Sequence, residues 1–229
     1  MPSYTIRDTR PTGNLPYYTS TQGSITPAWN TCILGNYQGL WYPQSQGQPG
    51  ANVLNNCTGY SQGRMMEMWN DLYPNNQITS LATNPFSFLN GNAYEWYQDA
   101  IDHGLNVGSV PQIGAVGVWK KDAMNGEEPL GHVANIECND NGTWRISEGH
   151  AYYDHGLHNN SWGSWDYSFL QPNVDYLPSF IGADPNWYLL GFIYPFDVIP
   201  DPPQPPHPPH PTKKKKMPVY MMIKYYRNY

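Results

Sequence analysis

Apolar residues recur at helical spacing from Asn56 to Tyr73: in CTGYSQGRMMEMWNDLY, Tyr60, Met65, Met68, Trp69 and Leu72 fall near one stripe. The two asparagines before Cys57 are of the type that caps a helix N-terminus, so a helix is expected to open at that thiol. A second amphipathic helix is expected over 92–103, with Ala93, Trp96, Tyr97, Ala100 and Ile101 as its apolar stripe and Gly104 as its stop. From Val107 the signals become those of strands. IGAVGVWKK (113–121), GHVANIEC (131–138) and TWRISEGHAYY (143–153) follow one another, with a turn-forming Asn-Asp-Asn-Gly at 139–142 between the last two. WYLLGFIYP (187–195) reads as a closing strand. Helices followed by an antiparallel meander predict an α+β domain.

The flanks lack this order. Residues 1 to about 50 are rich in Gly, Pro, Asn, Gln, Ser and Thr without a sustained period, and are expected to lie as irregular structure across a domain surface. After Pro195 the chain shifts to IPDPPQPPHPPHPT, with eight prolines between Pro200 and Pro211. Such a segment is a semi-rigid polyproline II spacer, reaching roughly 35 Å at ~3.1 Å per residue. KKKKMPVYMMIKYYRNY follows, too short for a core of its own and suited to docking on a partner. The expected organisation is an irregular N-terminal segment (1–29), a folded domain (30–196, the span of the family resemblance given below), a polyproline linker (197–212) and a basic, aromatic docking tail (213–229).

Composition narrows the function. The chain has 229 residues and a net charge of -6, and its only basic block is Lys213 to Lys216, which argues against nucleic acid as the main partner. No apolar run approaches the ~20 residues of a membrane span. The N-terminus has no signal-peptide pattern, so export is expected to use another route. The 19 Tyr and 9 Trp beside 21 Gly and 23 Pro suggest an aromatic-cored, loop-rich protein.

Three cysteines cannot all pair, and Cys57 is the expected reactive thiol. A helix N-terminus and a nearby imidazolium lower a thiol pKa from about 8.5 to roughly 3.5–7.5, where the thiolate is available as a nucleophile. The base is expected to be His132, at the start of a strand after Gly131. A third group must hold its tautomer and orientation. Glu137 lies an odd number of residues from His132 and should face the opposite side, whereas Glu148, on the next strand, can lie beside it. The backbone N–H of Cys57 is the first expected oxyanion donor. Tyr60, Trp119 and His150 are the expected substrate-side neighbours. His150, Asp154, His155 and His158 cluster in sequence, but their segment has loop composition and no zinc-site spacing, so no metal and no cofactor is expected.

NNCTGYSQGR, IGAVGVWKK with GHVANIE, RISEGHAYY and GFIYP, in this order over about residues 30–196, resemble the CHAP family, the cysteine, histidine-dependent amidohydrolases/peptidases of bacteria and their phages. The resemblance implies a papain-like α+β domain, peptidoglycan as substrate, cleavage as an N-acetylmuramoyl-L-alanine amidase or endopeptidase, and Cys57, His132 and Glu148 as nucleophile, base and acidic third member. The chain departs from the family where many members place an Asn two residues after the Glu and this sequence has His150. Some phage members bind calcium before the cysteine, but residues 36–56 contain no Asp or Glu, so no calcium site is expected there. With its spacer and docking tail, the chain is expected to be a phage lysin attached to the virion tail through other tail proteins, or one released at lysis. The competing expectation is a non-catalytic structural tail or wall-binding subunit that keeps the fold.

Overall fold

Helix α1 spans Cys57–Leu72 and begins where its cap dictates. Asn56 is extended (φ -131°, ψ 126°), and its side-chain oxygen accepts the Gly59 N–H at 2.7 Å and the Thr58 hydroxyl at 2.8 Å. One of the orphan N–H groups of the first turn is thereby satisfied. In the computed structural model, residues 4–12, 15–18, 53–54, 56–89, 91–122, 130–150, 164–172, 176–179, 181 and 185–196 are described. The polyproline linker, the docking tail, Cys32 and the histidines at 155 and 158 lie outside them.

The apolar stripe predicts a single buried face for α1, yet nearly the whole helix is buried, including Ser61, Gln62, Arg64 and Glu67. The reason is the N-terminal segment, which covers the polar side. Tyr18 is fully buried and donates to Glu67 at 2.7 Å, the Arg64 guanidinium donates to the Thr5 carbonyl, and Arg7 pairs with Glu67. Residues 4–12 and 15–18 are therefore integral to the packed domain, and their polar partners are what allow charges onto the inner side of a helix.

The second helix, α2 (Trp96–Asp102), is preceded by a 3₁₀ turn at Ala93–Glu95. It ends at Gly104, whose φ of +76° suits glycine at a helix C-terminus. Seven strands follow among the described residues: β1 (Asn106–Gly108), β2 (Val116–Lys121), β3 (Leu130–Asp140), β4 (Thr143–His150), β5 (Ser164–Gln171), β6 (Leu177–Pro178) and β7 (Trp187–Tyr194). They form one antiparallel sheet in the order β1-β7-β2-β3-β4-β5-β6, which makes the domain α+β as expected. The β3–β4 hairpin closes on Asn141 (φ 52°) and Gly142 (φ 90°), a two-residue turn whose positive dihedrals match the twist of the strands.

The helices cover one face of the sheet, where Met65, Met66, Met68, Phe86 and Trp96 pack on Val116, Val118, Val133 and Ile193. At about 1.5–3 kcal/mol per large apolar side chain, this layer fixes α1 to the strands. On the other face, Ala115, Trp119, Ala134, Ile136, Ile146, Leu170, Ile181 and Phe192 gather from strands that are far apart in the order. Strand β6, at one end, touches β7, next to the other end, so the sheet curls round this second cluster. The short β1, β6 and all of β5 were not among the expected strands.

Candidate active site

Residue alternation on β3 decides which glutamate meets the histidine. His132 is opposite Trp119 of β2 in the ladder and shares its face with Ala134 and Ile136, inside the curl of the sheet. From β4, the Glu148 Oε2 lies 2.8 Å from His132 Nε2. Glu137 faces the helix side, where both its oxygens bind Arg64, at 2.8 and 2.7 Å. The two glutamates are thus separated as the alternation requires, and Glu148 is the one joined to the imidazole.

This pair is 5% and 0% exposed, and a carboxylate taken out of water is stable only when its lone pairs are occupied. Glu148 meets that condition with both oxygens, because the hydroxyl of Ser168 on β5 donates to Oε1. A carboxylate on Nε2 requires the proton on that nitrogen, which makes Nδ1 the basic nitrogen of the neutral ring.

Cys57 reaches this end of the sheet through a close backbone approach. Gly149, the residue after Glu148, has no Cβ, and one built there would stand 2.8 Å from the Asn56 carbonyl oxygen and 3.0 Å from its carbon. The peptide leading into Cys57 therefore lies directly against β4. Cys57 and Cys138 are reduced thiols, and both are half-buried. The first turn of α1 contains no acidic side chain to offset the positive potential of its N–H groups and dipole near the sulfur.

Of the expected substrate-side residues, Tyr60 and Trp119 are buried. Tyr60 is fully buried, stacked on Tyr18 with ring centroids 5.4 Å apart and donating to Ser147 at 2.8 Å. Burial pushes its hydroxyl well up, so it stays protonated. Trp119 is likewise buried, its ring 6.0 Å from that of His132 and its N–H donating to the Tyr176 carbonyl at 3.1 Å. Both rings are packed into the core among the described residues: the apolar face that makes an aromatic residue a sugar platform also drives it into a core. Of His150 the structure describes the strand position, opposite Ser164. Asn56 is a helix cap, as described above. Among the described residues no group of three or more His, Cys, Asp or Glu could hold a metal ion, and no helix is long and apolar enough to cross a membrane.

Ser168 lies just beyond the segment 152–166, whose loop composition masks the start of β5 at Ser164. The signal was there: SWDYSFLQ alternates Trp165, Tyr167 and Phe169 with Asp166 and Ser168. Even so, the alternation points the wrong way, since Ser168 and Leu170 are buried while Phe169 is 40% exposed.

A cysteine at a helix start and a strand-borne His–Glu pair are the kinds of group that thiol hydrolases use. Residues 45–150 match the family model of the CHAP domain, which supports the CHAP family for this part of the chain. CHAP domains are in general hydrolases of the amidase or peptidase type, associated with peptidoglycan. No match to a curated protein or to a solved structure was found.

Proposed function

We propose that the chain hydrolyses amide bonds of the peptidoglycan stem peptide or cross-bridge, with Cys57 as nucleophile, His132 as general base and acid, and Glu148 as the group that orients the imidazole. The observation that carries the reading is the buried His132–Glu148 hydrogen bond on the strand whose next residue abuts the entry to Cys57. Glu148 holds the proton on Nε2, so Nδ1 takes the thiol proton. The thiolate adds to the scissile carbonyl, and the oxyanion is met by the Cys57 N–H at the start of α1. The imidazolium then gives its proton to the departing amine. Water, deprotonated by the same nitrogen, hydrolyses the thioester and restores the thiol. The helix packed on a curled antiparallel sheet, with the cysteine at its start, supports a papain-like description.

The substrate follows from the family, and the setting from the sequence beyond the domain. A polyproline stretch ending in a Lys, Tyr and Met-rich peptide is suited to anchoring an enzyme in an assembly. On that ground we place the chain among phage lytic enzymes, on the virion tail in preference to free release. Wild type and Cys57→Ala are incubated with walls from several Gram-positive bacteria, and freed amino groups are counted and fragments identified by mass spectrometry. Cleavage by wild type alone is expected and names the bond. Silence from both on every wall would transfer the assignment to a structural subunit.

A further inference from the structure

We infer that Ser168 is a positioning residue of the site, a fourth member that acts on the Cys57–His132 couple through Glu148; the inference rests on the assignment of nucleophile and base just given. Glu148 is fully buried and one oxygen is committed to His132. The other receives the Ser168 hydroxyl, delivered from the neighbouring strand, on which Ser168 pairs with Ile146 in register. Ser168 is itself 7% exposed, and its position on β5 alternates with outward-facing Tyr167 and Phe169. A serine on the inner face of a strand, next to the apolar Leu170, loses its hydration and needs a partner; the carboxylate is that partner.

Two consequences follow from the chemistry. A hydroxyl donating to a carboxylate stabilises the charged form and lowers its affinity for a proton. It also fixes the carboxylate plane, so that Oε2 stays on His132 Nε2 when the imidazole turns cationic. Both favour the thiolate–imidazolium state of Cys57 and His132. Asp166 is opposite Glu148 in register, but it is exposed and accepts its own following N–H at 2.9 Å, and His150 is two residues further along β4. Many members of the family place an Asn two residues after the Glu; this chain has His150 there, and the Ser168 donor comes from β5.

The test reads Cys57 directly and requires no wall. The rate of Cys57 carbamidomethylation by iodoacetamide is followed by mass spectrometry between pH 4 and 9, with Cys57→Ala as control for the other two thiols. Ser168→Ala is expected to move the acid limb of the profile up by about one pH unit, making alkylation about tenfold slower on the limb, from the loss of one hydrogen bond to a charge. Ser168→Thr keeps the hydroxyl and is expected to follow wild type. Should alanine abolish the thermal transition, Ser168→Val against Ser168→Thr compares equal volumes with and without the hydroxyl. In a Glu148→Gln background, Ser168→Ala is expected to add no further shift. A limb moved by Glu148→Gln but unmoved by Ser168→Ala or Ser168→Val overturns the role of Ser168 alone. A limb unmoved by Glu148→Gln overturns the assignment of the site itself.

Discussion

Arg64→Met tests whether the charges beneath α1 hold the domain together. Arg64 is fully buried and donates Nε to Glu137 Oε1 at 2.8 Å, Nη2 to Glu137 Oε2 at 2.7 Å and Nη1 to Glu67 Oε2 at 2.7 Å. Methionine fills the stem volume and removes the cation. Glu67 then keeps Arg7 and Tyr18. Glu137, 1% exposed, keeps only the Ser147 hydroxyl at 2.5 Å and the Arg7 backbone N–H at 3.0 Å, with no counter-charge. Removing one partner of a buried pair costs about 3–5 kcal/mol, because the remaining charge is left uncompensated. For a domain of this size, that corresponds to a fall in thermal midpoint of about 6–20 °C.

The companion variant separates an uncompensated charge from lost packing. Arg64→Met with Glu137→Met removes both ions, and an apolar pair of similar volume is often close to neutral. The double variant is therefore expected to melt above Arg64→Met by the equivalent of at least ~1 kcal/mol. Circular dichroism melts at pH 7 and urea titrations supply both numbers. A loss under ~1 kcal/mol for Arg64→Met, or a double variant that loses the sum of the two single changes, would refute the reasoning.

Three further outcomes follow. Burial pushes the Glu67 carboxyl up, but the Arg7 hydrogen bond and the Arg64 charge outweigh this and hold it below the ordinary value. Its contribution is present above the unfolded glutamate pKa of about 4.3 and lost as pH falls through the lower folded value, so melts from pH 7 to 3 should steepen in acid and Glu67→Gln should flatten that dependence. Gly149→Ala would set a Cβ 2.6 Å from the Leu54 carbonyl oxygen and 2.8 Å from that of Asn56. Displacing the entry to Cys57 by a fraction of an ångström should slow wall cleavage by about 10–100-fold, and unchanged rates would show that the approach does not place the thiol. Asn56→Ala removes the α1 cap and should cost about 1 kcal/mol in urea titrations, with slower Cys57 alkylation.

The elements that the sequence announced were those whose signal is local. Helical spacing and an Asn cap mark α1 at Cys57, the Asn-Gly pair marks the β3–β4 turn, and two-residue alternation separates Glu137 from Glu148. Each of these depends on residues within one or two turns or strands, where backbone geometry alone sets the direction of a side chain. That is why the His132–Glu148 pairing could be expected from one strand and its neighbour.

What lay beyond reach depended on partners distant in the chain. Arg64 and Glu137 are 73 residues apart, and Thr5 lies 59 residues before Arg64. No period in residues 4–12 or 15–18 foretells that they would cover the polar side of α1, because a polar face is buried only when another segment brings its counter-charges. The exposure of Tyr60 and Trp119 was likewise a tertiary matter: the curl of the sheet and the packing of Tyr18 enclose rings that a one-dimensional reading leaves open. Ser168 shows the same limit most clearly. Alternation fixes that every second residue of β5 shares a face, but which face turns inward is set by the strands beside it, and there a buried carboxylate drew the serine inside.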